Sequence, residues 1–108
     1  MVKPVAGEIV VIAFPRTDSG KRRPALVLAD LPGADLILCQ ITSRAHFDGF
    51  AVTLDSSDCE RGQIDQPCHI RPQRLFTLEH HLILHAVGKV NEAKLEEVLK
   101  RAREFFIE

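Results

Sequence analysis

The chain reads as mainly β with one C-terminal α-helix, folded as a small, strongly bent antiparallel sheet or barrel. Three observations predict this. Short, β-branched apolar runs recur along the sequence as far as Val87; Gly, Pro, Asp and Ser punctuate them; and only the last segment changes to helical periodicity. At 108 residues the chain suits one domain spanning 1–108, because two halves would each be too small to bury a useful core.

Ile9 to Phe14, between Gly7-Glu8 and Pro15, is almost wholly apolar and suits a strand buried on both faces. Asp18-Ser19-Gly20 supplies a turn, Ala25 to Ala29 a second strand, and Pro32-Gly33 the reversal before Leu36 to Ile41. Cys39 falls in that third run and reads as core. Phe50 to Leu54 alternates as a half-exposed strand does, and the polar stretch 55–66 reads as a loop. Cys68 to Ile70 and Leu82 to Val87 are two further extended segments, with Gly88 ending the second. His85 in the latter faces a partner or solvent. Leu75 to Leu78 fits a helical turn or a strand equally well. After Asn91, a residue suited to capping a helix, Leu95, Val98, Leu99, Ala102, Phe105 and Phe106 form an apolar stripe, with Lys94, Glu96, Glu97, Lys100 and Arg101 opposite. That stripe has only the sheet to pack against.

Composition narrows the function. With 45% hydrophobic and 27% charged residues the chain is an ordinary globular protein, and no apolar run is long enough to span a bilayer, so a cytoplasmic protein without a membrane partner is expected. Three unpaired cysteines, Cys39, Cys59 and Cys68, argue against a disulfide framework. Cys59, Cys68, His69, His80, His81 and His85 lack the close ligand pairs of structural zinc sites, so no metal and no cofactor is expected. A net charge of −1 excludes a polyanion binder held by bulk electrostatics. Charge is uneven, however. Residues 1–47 carry six Lys/Arg against four Asp/Glu, and residues 48–66 one against five.

The basic cluster lies in Lys21-Arg22-Arg23, immediately before an apolar strand, and Thr42-Ser43 ends the next one. Arginine's planar fork of donors fits phosphate oxygens, so Arg22 and Arg23 suit a nucleic-acid backbone. Read alone, such a cluster is more often a solvated turn, and a Thr-Ser pair often closes a strand.

Taken together, Gly7-Glu8-Ile9-Val10, Lys21 to Val27 with its Arg-Pro pair, Ile41-Thr42-Ser43, Leu75 to Leu78 and Gly88-Lys89-Val90 resemble the MazF/PemK family of toxin-antitoxin ribonucleases, in order and over nearly the whole chain. The resemblance implies an SH3-like, partly open antiparallel β-barrel and a homodimer. It also implies a cognate antitoxin as partner and metal-independent, sequence-specific cleavage of single-stranded mRNA. It places the catalytic arginine on Arg23 and the catalytic threonine on Thr42, with Ser43 beside it, an acidic residue near Asp18, and polar groups near Gln73 and Arg74. Lys21, Arg22, Arg44 and Arg74 then suit phosphate contacts.

In residue terms, Arg23 offers a fixed cation and Thr42 a short, stiff hydroxyl donor for the charge that develops when a 2′-hydroxyl attacks phosphorus. Neither is a good base. The resemblance gives acid–base duty to the arginine; residue chemistry alone gives it charge stabilisation, with His46 a local alternative. Phe14 and Phe47 suit the core better than base stacking. Two other functions share the scaffold: a non-catalytic inhibitor resembling the CcdB toxins, and a repurposed protein-binding module.

Overall fold

The computed structural model describes residues 3–13, 22–44 and 49–106. Within them the strands are β1 (Glu8–Ala13), β2 (Arg22–Asp30), β3 (Asp35–Thr42), β4 (Val52–Leu54), β5 (Cys59–Gly62), β6 (Cys68–Glu79) and β7 (Ile83–Val90), followed by helix α1 (Glu92–Arg103). They pair antiparallel in one curled, half-barrel sheet in the order β4-β6-β3-β2-β1-β7-β5. No described helix is long and apolar enough to cross a membrane.

Side chains alternate across a strand, so the continuous apolar runs of β1 to β3 must feed two cores. They do. Ile9, Leu26, Cys39, Ile41, Val52, Leu54, Ile70 and Val90 fill the inner face together with Val98 of α1. Val10, Ile12, Ala25, Val27, Leu36, Leu38 and Ile83 form a second cluster on the outer face. Register shifts between β1 and β7, and between β3 and β6, bend the sheet between them.

The sequence reading needs correction in five places. The second strand, expected from Ala25, already begins at Arg22: Arg22 and Arg23 are the first residues of β2, paired with Ala13 and Ile12 of β1. The polar stretch 55–66, expected as a loop, contains a 3₁₀ turn at Ser56–Asp58 and strand β5. β5 has little strand propensity of its own and is held by close backbone approach: a Cβ on Gly62, at φ +73°, would lie 2.3 Å from the Val87 carbonyl oxygen and 2.6 Å from the Gly88 Cα. For the same reason Gly88 does not end β7, which continues to Val90. The two segments around Ile70 and Phe76 are one twelve-residue strand, β6.

The fifth correction concerns α1. Asn91 caps it as expected, its side-chain oxygen accepting from the Lys94 N–H at 2.8 Å. Lys94, however, is not on the solvent face. It is only 8% exposed, and its ammonium donates to the Thr53 carbonyl at 2.9 Å between Glu97 (3.0 Å) and Asp58 (3.7 Å). At the far end Phe105 meets Phe50 edge-on, ring centroids 5.0 Å apart, while Phe106 is exposed instead of joining the stripe.

Candidate functional site

The β2–β3 ladder runs through Leu26–Cys39 and ends at Ala25–Gln40, although β2 continues to Arg22 against β1, and β3 to Thr42 against β6. Proline accounts for the stop. Pro24 has no N–H to donate to β3, so the ladder cannot continue past it. Beyond Pro24 the strand ends line a cavity of about 670 Å³, with Arg22, Arg23 and Pro24 from β2, Gln40 to Arg44 from β3 and its end, and Gln66, Cys68 and Arg71 from β6 and the segment before it.

Alternation places Arg23 on the outer face, in phase with Ala25 and Val27, and Thr42 on that same face, in phase with Leu38 and Gln40. The two groups therefore address one opening from opposite lips. The Thr42 hydroxyl oxygen accepts from the Arg44 N–H at 3.2 Å, which fixes one lone pair and leaves its proton free to donate into the cavity. His69 is the register partner of Thr42, and Arg71 that of Gln40.

Four arginines and no carboxylate stand among the described lining residues. No described carboxylate pairs with Arg22, Arg23 or Arg44. A concave site lined with one sign of charge concentrates counter-ions far more strongly than the net charge of −1 suggests. Cys68 is a poor nucleophile there, because burial pushes its thiol pKa up. Among the described residues, no three His, Cys, Asp or Glu side chains gather as a metal site.

Of the residues singled out from sequence, Arg22, Arg23, Thr42, Ser43 and Arg44 share this cavity. Gln73 and Arg74 do not line it. They sit in the bulge of β6, where the register jumps from Leu75 to Arg71 across Cys39–Gln40. Phe14, Asp18, Lys21, His46 and Phe47 lie outside the described residues. Gln40, Gln66, Cys68 and Arg71 were missed. The Gln40–Arg71 pairing follows from the β3–β6 register, and a bulge of that length leaves no mark in a single sequence.

Fold and cavity together define a small half-barrel protein with an arginine-lined cleft at one end of its central strands. The chain belongs to the family of PemK-like, MazF-like toxins of type II toxin-antitoxin systems, whose family model matches residues 6–106. Among solved structures it is similar to an endoribonuclease in complex with its cognate antitoxin from Mycobacterial species (TM-score 0.77, 14% identity, 95% of this chain and 94% of that one). It is also similar to MazF in the MazE-MazF complex of Deinococcus radiodurans (0.76, 24%, 98% and 97%). A third is the Mycobacterium tuberculosis toxin MazF-mt6 (0.73, 14%, 92% and 95%). At these identities the structural likeness establishes the fold. No curated protein sequence matches the chain.

Proposed function

We propose that this toxin is a metal-independent endoribonuclease that cuts single-stranded mRNA in the cytoplasm, and that Arg23 and Thr42 act on the scissile phosphate. One observation carries the reading: the arginine-lined cleft that holds Arg23 and Thr42 on one face at the Pro24 split. Family membership and neighbours described as endoribonucleases support it.

RNA brings its own nucleophile. The 2′-oxygen forms a bond to phosphorus, the bond to the 5′-oxygen breaks, the 2′-proton leaves and a proton is delivered to the departing oxygen, giving a 2′,3′-cyclic phosphate. Negative charge accumulates on the non-bridging oxygens along the way. The guanidinium of Arg23 and the hydroxyl of Thr42 stabilise it, already fixed in place by β2 and by the Arg44 N–H. Arg22, Ser43, Arg44 and Arg71 hold neighbouring phosphates. Removing one such donor from an oxyanion site costs on the order of 10²–10³ in rate.

Two partners belong to the proposal. A cognate antitoxin blocks the cleft, as fits a family of toxin-antitoxin pairs and the MazE-MazF complexes among the structural neighbours. A second copy covers the apolar side chains that β6, β7 and their connection leave exposed, namely Leu75, Leu82 and Leu84. Gel filtration at low concentration should give the dimer mass; a stable monomer contradicts that part. For the activity, purified protein in EDTA should cut a mixed single-stranded RNA to products ending in cyclic phosphate. RNA intact after long incubation with excess protein overturns it.

A further inference from the structure

A second cavity, of about 260 Å³, lies behind the first and shares Pro24, Ile41, Gln66 and Cys68 with it. Its floor is inner core: Ile9, Ile41, Leu54 and Val87. Its rim is polar, formed by Gln63, Asp65 and Gln66 from the segment between β5 and β6. Of these, Pro24 and Ile41 are the edges of the Pro24 split, so the two cavities meet where β2 and β3 cease to pair.

The rim is held in place. Ser56 Oγ donates to the Ile64 carbonyl at 2.9 Å and accepts from the Ile64 N–H at 3.2 Å. The Cys68 thiol donates to the Gln66 carbonyl at 3.3 Å. Ser56 in turn opens the 3₁₀ turn capped by Asp55, and that turn is tied to α1 by the Asn91 N–H donating to the Asp58 carbonyl at 2.7 Å and by Lys94. An apolar floor and a braced polar rim make this a formed pocket beside the arginine-lined cavity.

We infer that this inner pocket receives one nucleobase of the RNA, passed between Pro24 and Ile41 from the nucleotide whose phosphate lies at Arg23 and Thr42, and that Asp65 selects that base. The inference rests on the nuclease reading above. The volume is just under the roughly 300 Å³ at which small-molecule sites begin, which suits a single planar base rather than an extended ligand. Single-stranded RNA is read this way, by bases splayed into pockets and hydrogen-bonded on their edges. A carboxylate only accepts, and its two oxygens match two donors side by side, so Asp65 favours the guanine edge, where N1–H and the N2 amino group donate together. The glutamines accept or donate as the base requires.

Deep sequencing of the cut sites in a random single-stranded RNA pool tests it, with the full-length protein and its Asp65→Asn variant. Asp65 is exposed, so the substitution leaves the fold intact. The wild type should prefer guanine at one nucleotide adjoining the cut, and Asp65→Asn should reduce that preference about ten-fold at that position alone. Identical profiles overturn the inference. A pool left uncut by the wild type counts against the nuclease reading, and binding then decides the pocket. In an uncleavable 2′-deoxy oligonucleotide carrying 2-aminopurine, fluorescence should change on binding at one position only, and the change should disappear in Val87→Phe, which fills the floor. A change at every position, or one that persists in Val87→Phe, overturns the pocket. So does an unaltered cleavage profile in variants that have lost affinity for an antitoxin peptide, because the pocket is then a peptide anchor.

Discussion

The molecule handles positive charge in two opposite ways. At the junction of α1 with β4 and the Ser56–Asp58 turn, Lys94 is buried and its ammonium is surrounded by Thr53 O, Glu97 and Asp58. At the Pro24 split, Arg22, Arg23 and Arg44 converge with no described carboxylate to pair with. The first arrangement satisfies its charge within the chain and so serves the fold. The second leaves like charges facing one another with no such partner, which costs stability. Under the proposed function, that charge is held for the RNA phosphates.

That contrast breaks if the two regions respond alike to truncation. Arg23→Ala should give the largest effect, a loss of roughly 10²–10³ in single-turnover RNA cleavage, with denaturant midpoints unchanged or slightly raised. A fall in stability to match would place Arg23 in the structural class. Lys94→Ala should do the reverse. Removing one partner of a fully buried ion pair costs about 3–5 kcal/mol; with Asp58 and Glu97 partly exposed, about 1–3 kcal/mol is expected by urea unfolding, and the remaining folded protein should cleave normally.

The smallest effect near neutrality comes from Cys39, whose thiol is pushed up to about 12 from an ordinary value of 9.0 by burial in the inner core. Because the folded pKa is the higher one, the unfolded chain releases the proton first. The stabilisation is complete below pH 9 and is lost progressively as pH rises from 9 to 12. Unfolding midpoints should fall across that window, and Cys39→Ala should lack that component of the fall. A wild-type midpoint flat to pH 12 contradicts this.

The sequence carried the β1 to β3 meander and α1 because their signals are local: apolar runs bounded by Pro, Gly and Asn. It carried less of what depends on distant chain. β5 exists because Gly62 nests against Gly88, and neither glycine announces the other. Periodicity placed Lys94 opposite the apolar stripe; Asp58 and Thr53, brought in by the fold, join Glu97 in making its burial tolerable. The cavity divides along the same line. Arg23 and Thr42 stand out as residue types beside strands, whereas Gln66 and Arg71 enter through β6. Pro24 was legible as part of a motif, but its role in ending the β2–β3 ladder emerges only once the register is known.

The central claim is that Arg23 and Thr42 act on the same phosphate, and a double-mutant cycle on single-turnover cleavage tests it most directly. Arg23→Ala, Thr42→Val and the double variant should show coupling, the double variant falling well short of the product of the two single losses. Losses that multiply without coupling would mean that the two side chains serve separate sites, and would contradict the account.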